Sequence, residues 1–113
     1  MQEAPVWPQH AIDAVAALNA SIPPEWIVPN VAIARFPIGS DIRPLVEASG
    51  ILTTEELAIT SLDFDATDLI ARLQDKTLTA VQCVTAFAKR AAIAHQAVDC
   101  LADFFFEDAL ARA

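Results

Sequence analysis

The sequence predicts a mainly α protein, with several helices plus one or two short strands. Three observations carry that expectation. Residues 79–113, TAVQCVTAFAKRAAIAHQAVDCLADFFFEDALARA, read as one long helix, a short apolar run and the start of another helix. Two stretches, Thr53-Thr54-Glu55-Glu56 and Thr79-Ala80-Val81-Gln82, place Thr three residues before Glu or Gln, the capping-box spacing that opens helices. All seven prolines lie between Pro5 and Pro44, so a Pro-punctuated front gives way to a Pro-free back from about Leu45. The expected organisation is an irregular segment, 1–52, holding one helix at about 8–20. It is followed by a helical scaffold, 53–113, with a strand at about 101–106 and a helix cut at Ala113. No separate second domain is expected.

The chain of 113 residues suffices for one small domain with a modest core. Its hydrophobic share of 55 % is high for a soluble domain of that size. The net charge of −8 and the seven basic residues argue against nucleic acid and anionic membrane surfaces, since phosphate binding needs clustered Lys and Arg. The acidic balance is read as serving solubility. Residues 1–10, MQEAPVWPQH, lack a basic start and an apolar stretch, so no leader is expected. The apolar run 11–18 is interrupted by Asp13 and too short to span a bilayer. The expected location is cytoplasmic. The two cysteines, Cys83 and Cys100, have no ligand-spaced partners for a zinc site, and in a reducing compartment both serve as small apolar residues, not as a disulfide. No cofactor and no metal is expected.

Residues 1–7 are expected to be extended or frayed. Pro8 suits the first turn of a helix running to about Ala20, with Ile12, Val15, Ala16 and Leu18 as its apolar face. Pro23-Pro24 cannot continue it. Residues 22–52 then read as a wrapping segment, because Trp26, Ile27, Val28, Ile33, Phe36 and Ile38 are large and apolar yet lack helical spacing. Residues 31–37 are the candidate for a short edge strand. So much apolar surface needs something to pack on.

Ser49-Gly50 signals a turn, and a short helix is expected from Thr53 to Thr60 or Ser61. Glu55 and Glu56 are candidates for an acid/base pair, but adjacent helical residues point about 100° apart. The capping reading is preferred. The next helix starts at Asp65 or at Ala66-Thr67, buries Leu69, Ile70 and Leu73, and turns Asp68, Arg72 and Asp75 outward, with Asp68–Arg72 at ion-pair spacing. Asp63, Asp65 and Asp68 lack the central Gly and twelfth-position Glu of a calcium loop, so they are read as helix-start acids.

The long helix from Thr79 carries one apolar stripe of Ala80, Val84, Phe87, Ala91, Ala94 and Val98 and a second of Val81, Ala88, Ala92 and His95. It is expected to be buried on much of its circumference, with helix 66–75 as its hairpin partner. Lys89-Arg90 is its solvated or salt-bridged edge. His95 is read as a structural residue with one satisfied nitrogen, because a catalytic base needs a nucleophile and an orienting group that the sequence does not place. His10 is weaker still. Residues 101–106, with Phe104-Phe105-Phe106, read as a strand covered on both faces, and Glu107-Asp108 as the first turn of a final helix.

Residues 79–113, together with IPPEW (22–26), SGILTTEELAIT (49–60) and DATDLIARL (65–73), resemble the N-terminal part of amidase signature enzymes, most of all the fungal acetamidase-type branch. The resemblance covers about residues 8–113. It implies the N-terminal part of an α/β fold, with 101–106 as the first core strand. The family hydrolyses carboxylic amides with a nucleophilic Ser, a second Ser on a cis peptide, and a Lys that must be neutral to accept a proton. The Lys follows the helix that starts at Glu107, and the serines lie further on, in a Gly/Ser-rich tract that has no counterpart among these residues. Lys76 and Lys89 do not match the family's catalytic position. The resemblance therefore assigns no catalytic, cofactor-binding or metal residue here. Lys76 stands where the branch usually has a turn Gly, Ala88 where it often has Cys, and Asp99 where it usually has Asn.

Two functional expectations follow. The first is an N-terminal amidase fragment, structural in role and inactive alone, whose partner is the remainder of the amidase domain. The second is a non-catalytic helical interaction module that binds a partner protein through its apolar face. In isolation, self-association through exposed apolar surface is expected.

Overall fold

The computed structural model describes Ala4 and residues 6–113. The frayed terminus expected at 1–7 falls largely on residues 1–3 and 5, outside the described residues. The order is α1 (Gln9–Ala20), a 3₁₀ turn (Pro24–Trp26), α2 (Asn30–Ile33), α3 (Leu45–Ala48), α4 (Thr54–Ile59), α5 (Ala66–Gln74), α6 (Ala80–Val98) and α7 (Phe106–Arg112). The protein is mainly helical, with no strand among the described residues.

Local chemistry fixes most helix starts. Pro8 precedes α1 and its carbonyl accepts from the Ala11 and Ile12 N–H groups at 3.0 and 3.2 Å. Three reciprocal capping boxes open the later helices. Thr53 Oγ1 accepts from the Glu56 N–H at 3.1 Å while Glu56 Oε1 accepts from the Thr53 N–H at 3.4 Å. Asp65 and Asp68 do the same for α5 at 2.9 and 3.1 Å, and Thr79 and Gln82 for α6 at 3.1 and 2.9 Å. Glu55 sits exposed in the first turn of α4 beside this box.

Several expectations are corrected. Residues 31–37 form no edge strand: the Pro29 carbonyl takes the Ala32 and Ile33 N–H groups at 2.9 and 3.2 Å, so the backbone closes into α2 instead of seeking a ladder. Short helical turns also replace irregular chain at Pro24–Trp26 and Leu45–Ala48. Residues 101–105 run without helix or strand pairing. A strand needs a neighbour, and here two of the N–H groups are satisfied locally instead: Leu101 donates to His95 Nδ1 at 3.2 Å and Phe104 to Asp103 Oδ1 at 2.8 Å. The pair Asp68–Arg72 is not made, because Asp68 is engaged in its cap and the Arg72 guanidinium lies 3.8 Å over the Phe64 ring, a cation–π contact.

Two turns use left-handed backbone at non-glycine residues. Lys76 has φ 64° between α5 and α6, and Asp99 has φ 50° at the end of α6. Each costs about 1 kcal/mol relative to Gly at the same position. The first turn is held by Asp75 Oδ1, which accepts from the Thr77 N–H and hydroxyl at 2.9 and 2.7 Å.

The core is built on α6. Ile93 is fully buried, among Val28, Ala32, Leu45 and Leu52 from the wrapping segment and its exit. Ala92 meets Ile22 and Trp26, with Phe104 and Phe106 packed alongside; the Trp26 and Phe106 rings meet edge-on at 4.7 Å. Ala86 meets Ile59 and Leu78, with Leu69, Leu73 and Cys83 beside them. Helix α5 reaches α6 only through that third cluster, while α3, α4 and α7 share the rest of its packed surface, so α5 is a lesser partner than a hairpin would make it. The radius of gyration is 16.5 Å, against about 13 Å for a compact domain of this length. The chain is a shell, 62 × 31 × 24 Å, around one central helix.

Candidate functional site

The residue types that carry hydrolytic chemistry are present but scattered. Ser21, Ser40 and Ser49 donate their hydroxyls to the carbonyls of Leu18, Pro37 and Val46 at 2.6, 2.6 and 2.8 Å. Burial pushes the Cys83 thiol up, away from the reactive thiolate. Cys100 is exposed, and both thiols are free. His95 is buried at the end of α6, and its Nδ1 accepts the Leu101 N–H, so one nitrogen is committed to holding the chain after the helix. His10 is exposed on α1. Lys76 stands exposed in its turn. Among the described residues no group of three His, Cys, Asp or Glu is arranged to hold a metal ion. No helix among the described residues is long and apolar enough to cross a membrane.

What the structure does assemble is a set of polar clamps on one side of α6. Gln96 receives the Val28 N–H on Oε1 at 2.8 Å and donates from Nε2 to the carbonyls of Trp26 at 2.8 Å and Ala92 at 3.1 Å. One side chain thus pairs two backbone groups of the wrapping segment that are 68 and 70 residues away in sequence. Lys89 Nζ meets Glu56 Oε1 at 2.7 Å, with only 15 % and 13 % of the two side chains exposed. Burial raises the Glu56 carboxyl, but hydrogen bonds from Lys89 and from the Thr53 backbone outweigh it and hold its pKa below the ordinary value. Glu56 Oε2 is buried without a partner among the described residues. Arg90 Nε donates to Thr60 Oγ1 at 2.8 Å, and Thr60 Oγ1 donates on to the Glu56 carbonyl at 2.9 Å. Lys89 is therefore the salt-bridged part of that edge, Arg90 hydrogen-bonds to a hydroxyl instead, and Glu56 both caps α4 and ties it to α6. Gln96 was not legible as a clamp from composition. The signal was the row Gln82, Lys89, Gln96, spaced seven apart and so on one helix face.

The opposite side of α6 is less covered. In the stripe Ala80, Val84, Phe87, Ala91, Ala94 and Val98 no residue is buried, and Phe87 and Val98 are 41 % and 56 % exposed. A shallow groove of about 330 Å³ runs beside it, its wall mostly apolar (Ile42, Leu45, Val46, Ala94 and Val98 among others) but flanked by Arg43 and Arg90. A second apolar patch joins Trp7 to Ile12 and Val15 of α1. An open cleft of about 640 Å³ lies between residues 20–25 and the start of α7. It contains Ser21, already bonded to Leu18, and no His or Lys, so it holds no nucleophile–base pair.

No family model and no solved structure matches the chain. Its sequence is 46 % identical over 107 residues to an acetamidase of Aspergillus oryzae, covering 95 % of this chain and 18 % of that protein. It is 37 % identical to an amidase of Gibberella zeae, covering 95 % of this chain and 19 % of the relative. It is 39 % identical to an acetamidase of Emericella nidulans, covering 95 % and 18 %. The chain thus spans less than a fifth of the length of these relatives. By this similarity the chain resembles a fragment of the fungal acetamidase-type amidases.

Proposed function

We propose that this chain is the N-terminal helical scaffold of an amidase, and that hydrolysis of carboxylic amides is performed by the whole protein with catalytic groups lying outside these residues. The observation that carries the reading is similarity along 95 % of this chain to proteins more than five times longer. The physical picture agrees with it. An apolar helix clamped on one side and half-open on the other is half of an interface, and the remainder of the amidase domain is the partner proposed for the open side. The Pro-punctuated segment 1–52 and the scaffold 53–113 act as one unit in this reading, joined at the Ile93 cluster. The protein works in the cytoplasm, without nucleic acid or a bound cofactor.

The experiment is an ammonia-release assay on simple carboxylic amides. The product of the full reading frame that contains this sequence is expected to release ammonia, and the isolated chain to release none. Hydrolysis by the isolated chain would contradict the reading, and so would an inert full-length product that binds a separate amidase through this region, the behaviour of an interaction module.

A further inference from the structure

The end of α6 and the segment after it are joined at one histidine. His95 is 5 % exposed in the last turn of α6, and its Nδ1 accepts the Leu101 N–H at 3.2 Å. Asp99, left-handed at φ 50°, turns the chain so that this contact forms. Among the described residues it is the one hydrogen bond that ties residues 100–105 to α6. Past it, Phe104 and Phe106 pack beside Ala92 and Trp26.

An Nδ1 that accepts a hydrogen bond carries no proton, so this imidazole is neutral and holds its one N–H at Nε2. We propose that His95 is a pH-sensitive latch: taking up a proton from solvent turns Nδ1 from acceptor to donor, sets two N–H groups against each other, and releases residues 100–105 from the end of α6. The C-terminal dipole of α6 favours a cation in this turn, but it does not restore an acceptor for Leu101. The elements packed against α6 bring Glu25 from the 3₁₀ turn, Glu47 from α3, Glu55 and Glu56 from α4, and Glu107, Asp108 and Arg112 from α7. The segment itself brings Asp99, Cys100 and Asp103. None of them pairs with the imidazole: the ion pairs among the described residues are Arg43–Asp41 and Lys89–Glu56. An imidazolium held in place would have no carboxylate beside it and little exposure to solvent, so opening the segment is the way to solvate it. The latched form binds fewer protons than the released one. The latch is therefore complete above the imidazole range and weakens as pH falls through it.

The experiment follows amide hydrogen exchange by mass spectrometry in the product of the full reading frame that contains this sequence, with rates corrected for the intrinsic effect of pH. A free imidazole takes up its proton at about pH 6.5, so protection of residues 100–105 is expected to fall about ten-fold between about pH 8 and about pH 5.5, while that of residues 80–90 in α6 holds. His95→Asn places an oxygen that does not titrate where Nδ1 stands, and is expected to keep the protection and flatten the profile. His95→Phe, which has no acceptor, is expected to lower the protection at both ends of the range. If His95→Asn loses its helical circular dichroism, the parent profile decides by where the fall begins: at about pH 6.5 for the imidazole, below about pH 5 for a carboxylate. Protection indifferent to pH, a fall confined to the carboxylate range, an equal fall in folded His95→Asn, or unchanged protection in His95→Phe would overturn the proposal. Each such failure leaves the ammonia-release assay standing as the separate test of the amidase reading.

Discussion

The two sides of α6 are both rich in small apolar residues, yet they meet opposite fates. One side carries Lys89, Arg90 and Gln96 and is covered, with Ile93 fully buried between them. The other carries Ala80, Val84, Phe87, Ala91, Ala94 and Val98, has no charge, and is left half-open. The usual expectation puts polar residues on the wet side of a helix. Here they mark the side this chain covers, because irregular wrapping segments bring unpaired backbone groups that only polar side chains can satisfy. The uninterrupted apolar side is suited to a regular element that satisfies its own backbone, which is what the core of a larger α/β domain would supply.

Substitutions sharpen that comparison. Lys89→Met has the largest expected effect: it leaves the mostly buried Glu56 carboxylate unpaired and should destabilise the chain by about 3 kcal/mol in chemical denaturation. The same pair sets an acid limb. The folded Glu56 pKa lies below the ordinary 4.5, so its contribution is complete above that value and is lost as pH falls through the lowered one. Stability measured against pH should fall on this limb in the parent chain, and the fall should be smaller in Lys89→Met, where Asp75 and Asp41 still hold their lowered values. Gln96→Ala removes three hydrogen bonds and strands the Val28 N–H and Trp26 carbonyl, for about 2 kcal/mol, with faster amide exchange at Val28 as its local signature.

Smaller effects come from the turn and from the open side. Lys76→Gly should stabilise by about 0.5–1 kcal/mol, since Gly takes φ 64° without a Cβ clash while loosening the unfolded chain somewhat. Phe87→Ser with Val98→Ser should change the stability of the monomer by no more than about 0.5 kcal/mol each, while lowering self-association in sedimentation velocity. An equally large loss of stability from the Phe87 and Val98 changes as from Lys89→Met would erase the distinction between the two sides.

The sequence made helix starts legible where the information is local. Thr53–Glu56 and Thr79–Gln82 are closed by residues three apart, and both boxes form as their spacing implies. His95 also takes the structural role expected of it. Strands were not legible in the same way, because pairing is not local. The Phe104 to Phe106 run has strand-like composition, but its backbone finds no ladder among these residues, and its Phe106 ring turns to Trp26 instead. The turns at 30–33 and 45–48 were hidden because their hydrogen bonds depend on where the preceding proline carbonyls point, not on apolar spacing. The clamps were not legible, since Gln96 finds its partners about 70 residues away.

The intact mass of the native product that carries this sequence tests the central claim most directly. An antibody against residues 53–75 would capture it from its source, and mass spectrometry would size it. The account predicts a product several times larger than 12.1 kDa, in keeping with relatives of which this chain covers less than a fifth. A stable, abundant product of 12.1 kDa would contradict it, and would make the half-open side of α6 the surface of an independent protein.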